Sequence, residues 1–152
     1  MENPLVVTDA SDRAPELIQE AGELAEAAGT PLTVLTVVTR EEFENDAEVM
    51  SSLVETGASR HFSNPKRYAQ TIAEKADAEL LRHYDIETAS IGRGVDDEAE
   101  RGDVILDVAE EQDADYIFLM ARKRSPTGKV IFGDTAQQVI LNFDGFVVTL
   151  LD

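Results

Sequence analysis

The feature that most constrains this chain is a series of short β-branched apolar runs, with helical periodicity between most of them. Leu5-Val6-Val7-Thr8 and Leu32-Thr33-Val34-Leu35-Thr36-Val37-Val38 contain no polar alternation and no breaker. A continuous apolar run of this length reads as a strand buried on both faces, as in a parallel sheet covered by helices on each side. Tyr116–Met120 and Phe146–Leu151 are two further runs of this kind, and Thr88–Ile91 reads as a further, more polar strand. Between the first two, Leu17, Ile18, Ala21, Leu24, Ala25 and Ala28 fall at helical spacing after Ser11, Asp12 and Pro15, and Gly29 ends the segment. The pattern βαβαβαβαβ defines an α/β domain: a five-stranded parallel open sheet with right-handed crossovers and helices on both faces.

The remaining segments fit the same plan. From Pro65, the residues Tyr68, Ile72, Ala76, Leu80 and Tyr84 recur every four positions, predicting a helix to about His83 that buries this stripe. Gly92-Arg93-Gly94 reads as the exit turn of the third strand and Val95–Gly102 as an acidic surface loop. Asp103 is expected to cap a helix carrying Ile105, Val108 and Ala109 inward and ending near Asp113. A last helix, Thr135–Asn142, turns Val139, Ile140 and Phe143 to the core. Residues 39–64 show the weakest pattern and read as a variable insertion, expected to be mobile, with one helical turn around Val49–Val54.

The 152 residues suit a single domain, 1–152. With no cysteine, thiol catalysis and thiolate metal sites are excluded. The net charge of −18 opposes approach to phosphate backbones, so no nucleic-acid partner is expected. No apolar stretch nears the ~18 residues a bilayer span needs, and the segment Met1–Asp12 lacks the basic start of a signal peptide. The expectation is a soluble cytoplasmic protein without membrane contact. An acidic, Lys-poor, well-patterned chain also suits a high-salt host, where salt screens self-repulsion.

Against this acidic background one loop stands out. Arg122, Lys123, Arg124 and Lys129 lie within eight residues, and no acid occurs between Asp115 and Asp134. With a total of −18, residues 122–129 carry +4 and the rest −22. Gly133 and Thr135 then open a helix, whose free N–H groups and positive dipole end favour anions. In an open α/β sheet, ligands bind beyond the carboxyl ends of the strands. The loop is therefore a candidate anion site, and solubilising surface charge is its alternative.

These residues together resemble the universal stress protein family. The resemblance is carried by the first strand ending Asp9-Ala10-Ser11, the second ending Leu35-Thr36-Val37-Val38, the segment Asp113–Met120, the Gly128…Gly133-Asp134-Thr135 region and the closing Phe146-Val147-Val148. It covers nearly the whole chain. It implies a Rossmann-like fold of the adenine nucleotide alpha-hydrolase type with strand order 3-2-1-4-5; together with the acidic, Lys-poor composition, the expected source is a halophilic archaeon.

What the resemblance implies about ligands is ATP or another adenine nucleotide. Asp9 and Val37 would serve the nucleoside and Gly128, Gly133 and Thr135 the phosphates, while Arg122 and Arg124 of the basic loop could reach the phosphates through their side chains. The family's ATP-binding members carry G-x2-G-x9-G-[ST] after the fourth strand. With its last glycine on Gly133, Met120 and Lys123 replace the first two, and Asp134 replaces the Ser/Thr. Added side chains hinder close backbone approach to phosphate, and a carboxylate repels it. Asp134 also reads as a helix N-cap standing in for the anion. The resemblance further implies a homodimer paired through Phe146–Leu151, with Phe146 in place of the usual proline, and a protein partner that the sequence does not identify. An apolar edge strand needs such cover.

Other candidates are weaker. Asp9 also reads as an Asx-turn residue, and Ser11 and Asp12 as caps. Arg93 lies where it could reach a phosphate, but reads first as a solvated turn residue. Gly128-Lys129-Val130 lacks the Ser/Thr of a P-loop. His61 and His83 are isolated, so no tightly bound metal is expected. No positioned base or phosphate-and-magnesium set is recognisable, and the expectation is a non-enzyme, with a slow ATPase as the lower-ranked rival. A nucleotide-free interaction module of the same fold is the main alternative.

Overall fold

The computed structural model describes residues 1–53, 64–122 and 133–152. Five strands, β1 (Pro4–Thr8), β2 (Leu32–Thr39), β3 (Thr88–Val95), β4 (Tyr116–Ala121) and β5 (Phe146–Leu151), form one sheet in the order 3-2-1-4-5. Every adjacent pair is parallel. The helices are α1 (Ala14–Ala28), α2 (Arg40–Leu53), α3 (Pro65–Leu80), α4 (Arg101–Glu111) and α5 (Asp134–Asn142). Alternation along β1 divides the core. Leu5 and Val7 face one cluster with Ile105, Val108 and Val139 of α4 and α5, while Val6 faces another with Leu17, Ile18 and Ala73 of α1 and α3. The α/β fold class and strand order expected from the sequence are those observed.

Several local expectations need correction. Helix α1 starts at Ala14 with Arg13 as its N-cap and no side-chain cap bond, so neither Ser11 nor Asp12 caps it. A backbone turn, Ala14 N–H to the Ser11 carbonyl, does that work. The helix ends as expected at Gly29, whose φ of 69° is left-handed and favours glycine. Leu24 is 38% exposed, outside the buried stripe.

Residues 40–53 form a helix that starts nine residues before the expected turn at Val49. The cause is a capping box, in which Glu42 N–H donates to Thr39 Oγ1 and Thr39 N–H donates back to Glu42 Oε1. Residues 54–63, the rest of the expected insertion, lie outside the described residues.

The exit turn expected at Gly92-Arg93-Gly94 is instead the second half of β3, which pairs with β2 up to Thr39↔Val95. The glycines are there because α3 lies against the strand: a Cβ on Gly92 would come within 2.0 Å of the Gln70 nitrogen. For the same reason α3 buries small residues, Ala69 and Ala73, instead of the predicted stripe. Tyr84, Leu80 and Ala76 pack at the margin of the core. Helix α4 begins at Arg101 without a side-chain cap; Asp103 sits in its first turn and accepts a hydrogen bond from Gln138 of α5. On α5, Val139 is buried but Ile140 is 38% exposed.

Candidate functional site

The carboxyl ends of β1 and β4, the first turn of α2 and the starts of α4 and α5 enclose a cavity of about 470 Å³. Thr8, Asp9 and Ser11 line it from β1 and the turn after it, Met120 from β4 and Arg122 from just beyond it, and Gly133, Asp134 and Thr135 from the start of α5. It therefore gathers Asp9, Arg122, Gly133 and Thr135 out of the predicted set. Arg124 and Gly128, with Lys123, lie outside the described residues.

Asp9 makes the Asx turn, accepting Ser11 N–H at 2.8 Å through Oδ1. Its other oxygen has no hydrogen bond among the described residues, so turn and ligand contact are compatible roles. At α5 the N-cap is Gly133, in extended conformation with no side-chain cap. Asp134 is thus the first helical residue and not the N-cap. The helix opens onto the cavity with its N-terminal donors uncapped, which suits an anion, while the Asp134 carboxylate lines the same space. Met120, in place of the family motif's first glycine, is 9% exposed and packs its side chain into the core cluster under α1 and α3.

Val37 does not line the cavity; its side chain is buried in the core under α4. Its carbonyl accepts a hydrogen bond from Arg101 Nη1. Arg93 is likewise away from the site, inside β3 and paired with Glu111 at 3.1 Å.

The residue missed in the sequence is Arg101. Its side chain is 13% exposed and donates from Nη2 to Glu42 and, at 2.8 Å, to Glu98. Nε donates to Glu98 at 3.1 Å. Burial disfavours its charge, yet Glu98 and Glu42 outweigh burial and hold the guanidinium more firmly protonated. All three side chains line the cavity at the β2 end. The available signals were the Thr39-x-x-Glu42 capping pattern and the single cation among the acids of residues 96–101. Those acids do not form a merely solvated loop: Asp97 caps a 3₁₀ turn over Glu98–Glu100 and Asp96 pairs with Arg40.

The lining thus holds five carboxylates, Asp9, Glu42, Glu98, Asp134 and Asp152, against the guanidiniums of Arg101 and Arg122. Among the described residues no group of three or more His, Asp or Glu is placed to hold a metal ion. No helix of the described residues is long and apolar enough to cross a membrane.

Fold and site define a doubly wound α/β domain with a ligand-sized cavity at the point where the strand order reverses. The chain belongs to the universal stress protein family, whose model matches residues 1–148. Among solved structures it is similar to a universal stress protein from Archaeoglobus fulgidus, at 28% identity and a TM-score of 0.65 over 98% of each chain. A universal stress protein from the same organism, solved in complex with dAMP, shares 22% identity and a TM-score of 0.54 over 98% of this chain and 97% of that one. Another, solved in complex with cAMP, shares 16% identity and a TM-score of 0.64 over 99% and 96%. Comparison with curated proteins gives no match.

Proposed function

We propose that this chain is a non-enzymatic universal stress protein of the stress response. In this reading it binds an adenine nucleotide or related phosphate-bearing ligand at the carboxyl edge of the sheet and carries no tightly bound metal. The observation that carries the reading is the uncapped N-terminus of α5, opening with Arg122 onto the same cavity as Asp9. The dAMP and cAMP complexes of two structural relatives support it. Asp9, Arg122, Gly133 and Thr135 are the described contacts; Arg124 and Gly128 complete the proposed set. Asp134 and Met120 make the site degenerate relative to the family's motif.

The protein is proposed to act as a homodimer through β5, supported by its edge position and by the exposure of Phe146 at 63% and Leu141 at 71%. It is assigned to the cytoplasm of a halophilic archaeon on the strength of its charge of −18, and its further protein partner is unidentified. Calorimetric titration with ATP, ADP and AMP in high salt, followed by a phosphate-release assay, tests the reading. Micromolar binding without turnover is expected. Sustained Mg-dependent turnover would instead make it an ATPase. A nucleotide-free interaction module is the second reading, favoured by the excess of carboxylates around the cavity. No binding of any nucleotide would establish it over the first.

A further inference from the structure

We propose that Arg101 sets the ligand class of the cavity: it closes the β2 end, so that a phosphate-bearing group is accepted beside α5 while a base gains nothing. This rests on the anion-site reading above. The strand order places β1 between β2 and β4. A ligand anchored by its phosphate at the start of α5, and longer than a sugar phosphate, therefore extends across Asp9 toward β2. There it meets Arg101.

Three features make that end closed. The guanidinium already takes the Val37 carbonyl, the strand-end acceptor that a ring amine arriving there would otherwise use. It is also bound to Glu42 and Glu98, so moving it breaks charge-assisted bonds on both sides. Glu42 is in turn held by the Thr39 capping box and cannot follow a displaced guanidinium without loosening the start of α2. Arg101 is thus a specificity-determining residue acting through what it covers.

The test titrates wild type and the double variant Arg101→Ala/Glu42→Gln with AMP and ribose 5-phosphate, calorimetrically, at matched high salt. The pair of substitutions leaves net charge unchanged, and glutamine at 42 preserves the capping box. Wild type is expected to bind the two ligands within about threefold of each other, and the variant to bind AMP at least about tenfold tighter with ribose 5-phosphate little changed. Wild type preferring AMP by about tenfold, no AMP gain in the folded variant, or an equal gain for ribose 5-phosphate would each overturn the proposal. If wild type binds neither ligand, the anion-site reading fails and this proposal, which needs a phosphate accepted beside α5, falls with it; wild type preferring AMP overturns this proposal alone. Should the double variant not fold, Arg101→Lys replaces the fork by one ammonium. It is expected to gain at least about threefold on AMP, and no gain overturns the proposal.

Discussion

The β2–β3 half of the sheet and the β4–β5 half are built from the same kinds of segment but finished differently. In the first, strands of eight residues are covered by α3, whose backbone presses on Gly92, and Arg101 ties β2 to α2 and α4. In the second, strands of six residues meet the nine-residue α5, which has an uncapped start and an exposed Leu141, and Phe146 lies open at the edge. One half ties its strand end through the Arg101 network; the other opens an uncapped helix end onto the cavity and leaves an apolar edge exposed. In the proposed function both the ligand and the partner are assigned to the β4–β5 half on that difference.

The largest expected effect lies in the closed half. Gly92→Ala puts a Cβ against the backbone of Gln70 and Ala69, which cannot swing away as a side chain can. A loss of roughly 3 kcal/mol in a denaturant melt is expected. A loss below about 0.5 kcal/mol would show that α3 is not pressed on β3. In the open half, Phe146→Asp is expected to weaken self-association roughly 30-fold, about 2 kcal/mol, with the monomer's fold intact. Light scattering against concentration reads this, and an unchanged dimer would move the interface elsewhere.

Asp115 is the exception that sharpens the contrast, a firm tie at the other end of β4. Its carboxylate accepts the N–H groups of Glu2 and Asn3 at 2.8 and 2.9 Å. Partial burial raises its pKa, but these donors outweigh burial and hold the group below the usual carboxylate range. A depressed pKa stabilises the fold above the unfolded value and ceases to do so as pH falls through the folded one. Asp115→Asn is therefore expected to cost about 1 kcal/mol at pH 7, discounted for its partial exposure, with the gap to wild type closing below about pH 4. A gap independent of pH would remove the carboxylate from the account. The smallest effect is expected at Asp134→Ser, which removes a like charge from the anion end and should tighten ATP binding about threefold. Unchanged affinity would mean that Asp134 does not face the phosphates.

Much of the fold was readable because its signals are local. Apolar runs such as Leu32–Val38 and Tyr116–Met120 report burial on both faces, and Gly29 reports a helix end. Some errors were local, as at the Thr39–Glu42 box that starts α2, and others occurred where a residue answers to something distant. Gly92 and Gly94 look like a turn in sequence, but they are strand residues kept small by a helix more than twenty positions earlier. Tyr68, Ile72 and their repeats look like a buried stripe, yet the same close approach gives the inner positions to Ala69 and Ala73. At the cavity, the placement of Asp9, Gly133 and Thr135 in its lining was readable from their position at segment ends. Val37 was not, because its carbonyl is covered by a side chain 64 residues away.

By itself the sequence determined the class of fold and the family, and it pointed to the end of the sheet where the ligand is proposed, since periodicity and segment order survive without knowing which surfaces meet. Only the tertiary structure decided how that end is shared: an uncapped helix beside Arg122, and opposite it Arg101 fixed between two glutamates and a strand carbonyl. The physical reason is that hydrophobic pattern is written residue by residue. A guanidinium's partners come from segments that only folding brings together.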